Sequence, residues 1–338
     1  MSRKIRIIDV SLRDGMHAVS HQFDKDTMAA LASRLDELGL DYIEFGHGNG
    51  LAGSSVQYGQ APNTDLEYMQ AVSAAVKKTK LAVITIPGIG TRFELLAALD
   101  HGIKVVRFAT QMSECDISKQ HIKMAKNMGM QPWSILTSAR CLSVEDTITY
   151  AQMVESYGAE VVYLTDGGGS MLPEEVHERV TAMKNALSVP VGLHLHNNLQ
   201  LAVANTLAGV DAGADYVDCA VKGFGAGAGN CPLEPLIAVL DRKEYVTDVD
   251  LYKAMEYGDS CLKPLMPRPM QLENDQIMLG YSGCYSSFLL FARRAAEKYQ
   301  VDVRDVIKEI GRRGCTEGQE HICIEVAYDL SRERASRA

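Results

Sequence analysis

Short apolar runs alternate along the chain with longer stretches in which apolar residues recur every three or four positions, the periods of buried strands and amphipathic helices. The runs predict strands at 4–10, 40–45, 81–86, 105–109, 131–136, 160–164, 189–196 and 216–221. The longer stretches predict helices at 24–38, 64–77, 92–101, 115–128, 144–157, 173–186, 199–212 and 232–240. Eight strand-helix units in about 240 residues have the rhythm of an α/β fold of the (β/α)8 TIM-barrel type. An open doubly wound sheet would carry Gly-x-Gly-x-x-Gly after its first strand. Here the glycine-rich stretch, Gly223-Phe224-Gly225-Ala226-Gly227-Ala228-Gly229, follows the eighth instead. It reads as a turn near a ligand or as part of an anion site.

Past residue 243 the rhythm changes to helices alone, at 248–263, 287–299 and 303–312. The run Lys263-Pro264-Leu265-Met266-Pro267-Arg268-Pro269 cannot continue a helix. Two domains are expected: a catalytic barrel over 1–243 and a C-terminal α-helical domain over 244–338. The tail, 330–338, mixes charged and small residues and is expected to fray.

Composition narrows the function. An apolar content of 46% over 338 residues supplies a large core, and a net charge of −9 disfavours nucleic acid as a partner. The eight cysteines, at 115, 141, 219, 231, 261, 284, 315 and 323, show no Cys-x-x-Cys spacing and read as reduced thiols of a cytoplasmic protein. No apolar segment reaches membrane-spanning length, and Met1-Ser2-Arg3-Lys4 opens no targeting signal.

Candidate chemistry gathers at the ends of the expected strands, where barrel active sites are built: Asp14, Glu44, His47, Asp166, His194 and His196. His194 and His196 lie two apart on one strand, so both point to the same side. Each could be a lone histidine satisfied by hydrogen bonds. Asp14, leaving the first strand, offers the carboxylate of a two-histidine, one-carboxylate set with open positions. Such a set suits Mn²⁺, with Mg²⁺, Co²⁺ or Fe²⁺ as substitutes, and a 2-oxo acid could chelate the ion. Arg13 is always charged and could neutralise a carboxylate or an enolate oxygen, or simply pair with Asp14. His17 is the candidate proton carrier, with His21 as its competitor.

The segments Asp9–His17, Glu44–Leu51, Pro87–Thr91, His194-Leu195-His196, Gly223–Glu234 and Leu279–Phe288 together resemble the 4-hydroxy-2-oxovalerate aldolase family. That family is a metal-dependent branch of the pyruvate aldolases, related to hydroxymethylglutaryl-CoA lyase and isopropylmalate synthase, and the likeness runs end to end. It implies cleavage of a 4-hydroxy-2-oxo acid to pyruvate and a short aldehyde through a pyruvate enolate. It also implies metal ligands at Asp14, His194 and His196, an enolate-stabilising Arg13, a proton-transferring His17, and Tyr285 at the aldehyde end beside Ile84 and Ile86. Asp14 and His194 then count among the substrate-binding residues. An acylating acetaldehyde dehydrogenase that receives the aldehyde, and an oligomeric assembly, follow from the same likeness. A Claisen-type acyl-CoA lyase and a weakly catalytic scaffold of a dehydrogenase are the alternatives. Two positions depart from the family pattern: Gly167 stands where a serine approaches pyruvate, and Asn197 where a histidine follows the second metal ligand. Ser170 is the residue that could replace the lost hydroxyl.

Overall fold

The computed structural model describes residues 3–315 and 318–337. Eight parallel strands, β1 (Arg6–Leu12), β2 (Tyr42–Phe45), β3 (Lys80–Thr85), β4 (Val105–Gln111), β5 (Gln131–Thr137), β6 (Val161–Asp166), β7 (Val191–Leu195) and β8 (Tyr216–Cys219), hydrogen-bond in sequence order and close into a barrel. Closure is direct, with Arg6 through Asp9 of β1 registered on Tyr216 through Cys219 of β8. The strands are buried on both faces and therefore read as near-continuous apolar runs.

The surrounding helices are α1 (Lys25–Leu35), α2 (Asp65–Ala75), α3 (Arg92–Asp100), α4 (Lys119–Asn127), α5 (Val144–Tyr157), α6 (Pro173–Ala186), α7 (Ala202–Asp211) and α8 (Leu233–Arg242). Their starts are set by local chemistry. The Asp24 carboxylate accepts from Thr27 N–H at α1, and Thr64 with Glu67 forms a reciprocal capping box at α2. Outward residues such as Ile7, Val106, Leu164 and Leu193 pack under these helices. Inward residues fill the barrel, whose lower end is plugged by Tyr42, Trp133, Tyr163 and Tyr216. Their ring centroids lie 4.9 to 5.9 Å apart around Trp133. This aromatic plug leaves the C-terminal mouth as the open end.

The C-terminal region follows as α9 (Leu251–Tyr257), α10 (Asn274–Ser282), α11 (Phe288–Tyr299), α12 (Val303–Arg312) and α13 (Ile322–Arg337). Tyr257 and Leu262 pack into the barrel's core, whereas Leu279, Phe288, Val306, Ile310 and Cys323 begin a second one. Several element boundaries differ from the sequence expectation. The helix expected over 115–128 is preceded by 3-10 turns, Met112–Ser118, and becomes α-helical only at Lys119. The helix expected over 248–263 relaxes after Tyr257 into a wide turn over Gly258–Leu262, ahead of Pro264. α10 had no sequence expectation, and α13 takes in most of the stretch 330–338 that was expected to fray. Val326 and Ala327 of α13 are buried in the second core, which holds that helix; Ala338, at the end of the expected tail, lies outside the described residues, as do Met1 and Ser2. Among the described residues no helix is long and apolar enough to cross a membrane.

Candidate active site

Strand β1 runs straight into a 3-10 turn over Asp14–His17. Residues three apart eclipse in such a turn, which turns Asp14 and His17 to one side. Both line a small cavity at the barrel mouth. β7 delivers His194 from its inward face, and His196 follows just past the strand end, bridged to Asn230. Arg13, Ile84, Ile86 and Tyr285 line the same cavity, whereas Glu44, His47 and Asp166, also placed at strand ends by the sequence, lie outside its lining.

Asp14, His194 and His196 are buried, with one ligand atom from each within 4.8 Å of the others. Both histidine Nε2 atoms stand 3.6 Å from Asp14 Oδ2. That is too long for a hydrogen bond and close to the separation of two donors on one small divalent ion. The buried His196 Nδ1 also lacks a hydrogen-bond partner. The donor set thus fits a divalent metal. Burial alone would raise the Asp14 pKa, but Arg13, His196, His194 and His17 outweigh it and hold the group well below the usual carboxylate range. Ala226 N–H of the glycine-rich loop donates to Asp14 Oδ1 at 2.9 Å. With Ala228 N–H donating to Asn198, that loop spends two of its amides on the protein itself.

Beneath the cavity runs a buried line of alternating charge. Arg13 Nε donates to Glu44 Oε1 at 2.5 Å, and Glu44 Oε2 accepts from Arg107 Nη1 at 2.5 Å. Arg107 Nη2 donates to Asp218 Oδ2 at 2.6 Å, and the same oxygen accepts from His194 Nδ1 at 2.8 Å. Arg107 lies 4.4 Å from the centroid of the Tyr163 ring. Burial would raise the Asp218 pKa, yet Arg107 and His194 lower it overall, so the group stays a carboxylate and can only accept. The proton of His194 therefore sits on Nδ1 and its Nε2 faces Asp14, the arrangement that orients a ligating histidine.

Burial, helped by Arg13 and opposed by Asp14, lowers the pKa of His17 and keeps the ring neutral near pH 7. His21, its competitor, lies outside the cavity lining and stacks on His47 with ring centroids 3.8 Å apart. Burial first, then His17 and His47, pushes His21 down to about 2. Gly48 passes between the rings: a Cβ there would stand 2.6 Å from His21 and 2.7 Å from His17 Nε2, so only glycine fits.

Both departures from the family pattern have a structural outcome. Asn197 turns its Oδ1 to Ala202 N–H at the start of α7. Ser170 donates to Asp166 at 3.2 Å and lies outside the reaction cavity, in a second cavity that shares Thr165 and Tyr285 with it. The segment bearing Tyr285 is bolted down: Ser286 Oγ donates to Gly167 O at 2.7 Å, and Asn198 Nδ2 donates to Ser286 Oγ and Gly168 O, each at 2.9 Å. Sequence reading missed Arg107 and Asp218. Their signal was present, as charges inside the buried strands Val105-Val106-Arg107-Phe108 and Tyr216-Val217-Asp218-Cys219. Among the described residues no lysine lines the cavity.

Comparison with known proteins shows the family. The HMGL-like family matches residues 4–260, and the DmpG-like communication domain matches residues 270–332. A protein of Desulfitobacterium hafniense named 4-hydroxy-2-oxovalerate aldolase is 59% identical over 98% of this chain and 100% of its own length. A second of that name, from Carboxydothermus hydrogenoformans, is 51% identical over 98% of this chain and 99% of its own. Among solved structures, the carboxyl transferase domain of Rhizobium etli pyruvate carboxylase aligns with 98% of this chain and 61% of that chain at a TM-score of 0.80. With 15% identity it shares the fold.

Proposed function

The chain belongs to the HMGL-like family, on its 4-hydroxy-2-oxovalerate aldolase branch, and from that premise we propose that it cleaves 4-hydroxy-2-oxovalerate or a close homologue to pyruvate and a short aldehyde. It is a carbon–carbon lyase and depends on a divalent metal. The observation that carries the reading is the meeting of a two-histidine, one-carboxylate set with Arg13 and a neutral His17 on one cavity.

Asp14, His194 and His196 would hold the ion, with Mn²⁺ as the proposed metal and Mg²⁺, Co²⁺ or Fe²⁺ as substitutes. When bound, it would supply Lewis acidity toward the 2-oxo acid's oxygens. Arg13, charged at every working pH and aimed by Glu44, balances the substrate carboxylate and the negative charge that grows on the C2 oxygen. His17 accepts the proton of the 4-hydroxyl as the C3–C4 bond breaks. The hydroxyl carbon leaves as the aldehyde, and the bonding pair moves to C3 and C2 as the pyruvate enolate. Protonation at C3 then completes pyruvate. Ile84 and Ile86 form an apolar wall for the aldehyde substituent, with Tyr285 at its end. A lysine Schiff base has no candidate residue in the lining.

The helical region from residue 244 covers the mouth and meets an acylating acetaldehyde dehydrogenase, which receives the aldehyde; the communication-domain match supports that partner. The assembly is an oligomer in the cytoplasm. Pyruvate release from a panel of 4-hydroxy-2-oxo acids, with chelated enzyme and with Mn²⁺ restored, tests the reading. Metal-dependent release is expected, and no release from any member by metal-loaded enzyme overturns it.

A further inference from the structure

A substrate carboxylate in this cavity needs hydrogen-bond donors as well as the charge of Arg13. The hydroxyl-bearing side chains of Thr137, Thr165, Ser286 and Ser287 line it. Three of them are committed elsewhere: Thr137 donates to Thr110 O at 3.3 Å, Ser286 to Gly167 O at 2.7 Å, and Ser287 to Glu320 at 3.0 Å. Thr165 differs. Its residue is 1% exposed, and its Oγ1 has no hydrogen-bond partner. Buried hydroxyls are almost always satisfied in native proteins, and among the described residues that lack a partner Thr165 is the hydroxyl-bearing one in this cavity's wall, so a bound ligand is the partner nearest to hand.

Its position agrees. Thr165 is two residues beyond Tyr163, whose ring packs inside the barrel, so by strand alternation it faces inward as well. It is registered opposite His194 of β7, which puts it beside the proposed metal ligand. Position 167 cannot supply a hydroxyl in its stead. A Cβ on Gly167 would stand 1.9 Å from Cε2 of Tyr285, so the tyrosine ring already fills the space a serine would need. Ser170 is spent on Asp166.

We propose that Thr165 is a substrate-binding residue whose hydroxyl donates to the carboxylate of the 2-oxo acid, in place of the hydroxyl that Tyr285 excludes from position 167. This rests on the aldolase reading above. Thr165→Val keeps the shape and removes the donor, and Thr165→Ser keeps the donor. Pyruvate affinity is read by titration calorimetry on Mn²⁺-loaded enzyme, metal content by elemental analysis, and stability by melting of the chelated protein. Thr165→Val is expected to weaken pyruvate binding roughly ten- to a hundredfold, the range for a lost hydrogen bond to a charged group. Metal content is unchanged, and the ligand-free protein melts no lower than wild type, because the lost hydroxyl bonds nothing in the protein. Thr165→Ser restores most of the affinity. Wild-type pyruvate affinity in Thr165→Val, or a lower melting point without an affinity change, overturns the proposal. If wild-type enzyme neither binds nor releases pyruvate, the aldolase reading falls, and this proposal with it.

Discussion

Asp218→Asn removes one charge from the buried line that joins Arg13 to His194. Asp218 Oδ2 accepts from Arg107 at 2.6 Å and from His194 at 2.8 Å, with both partners almost fully buried. A hydrogen bond to a charged group is worth about 1.5–3 kcal/mol. Removing one partner of a buried ion pair costs about 3–5 kcal/mol, because the survivor keeps its charge without its counterion. Arg107 would retain only Glu44. At roughly 2–4 °C per kcal/mol for a domain of this size, the chelated protein should melt about 10 °C lower. The second effect is on the metal. His194 loses the anion that holds its proton on Nδ1, and a change of this kind weakens metal affinity by about 10–100-fold. Differential scanning calorimetry of chelated protein and a metal-buffer competition titration read the two effects separately. Glu44→Gln is the control: it breaks the same line between Arg13 and Arg107 but touches neither His194 nor its proton. It should lower the melting temperature comparably while metal affinity stays close to wild type. An Asp218→Asn protein with unchanged melting and metal affinity would refute the argument. So would an equal loss of affinity in Glu44→Gln.

His17→Ala should cut pyruvate release by about 10²–10⁴-fold with metal content retained, the range for losing a general base, whereas His194→Ala should lose both; normal metal affinity in the latter removes His194 from the ligand set. Asp36 is one contributor to the acid limb of stability. Its carboxylate accepts from the backbone N–H groups of Lys77, Lys78 and Thr79, which outweigh the effect of burial and lower its pKa from an ordinary value of 3.8. A folded pKa below the unfolded one means the stabilisation is complete above the unfolded value and is lost as pH falls through the folded one. Thermal melts should therefore place Asp36→Asn about 1.5–3 kcal/mol below wild type near pH 7. The gap should close as the pH drops below about 4; a gap that persists in acid contradicts the assignment.

The barrel was legible because its strands are buried on both faces and its helices have period and caps, so β1 to β8 stand out as repeated units. Asp14, His194 and His196 were legible because a strand's two-residue period joins the histidines and barrel closure supplies the carboxylate. What escaped depends on three-dimensional pairing. Nothing local to Arg107 says that its partners are residues 44 and 218, since those contacts exist only once β2, β4 and β8 share one interior. The orphaned hydroxyl of Thr165 is likewise invisible until every neighbour's bonds are assigned. α10 and α13 were missed because their burial comes from packing on one another's neighbours in the second core, not from a strong period of their own. The helix expected from Cys115 failed at its start, where Glu114 leaves helical geometry and Cys115 is buried in a 3-10 turn.

Asp14 and the amide of Ala226 that fixes its carboxylate are separated by 212 residues. The first strand of the barrel is hydrogen-bonded to the last. A ribosome making this chain therefore emits Asp14 early and the strand that locks the ring about two hundred residues later. A chain released short of β8 holds Asp14, His194 and His196 and has no closed ring to gather them. Truncated or stalled products are for that reason poor traps for metal ions. Gathering of the three side chains during synthesis therefore waits for the eighth strand, and Tyr285 joins them later still.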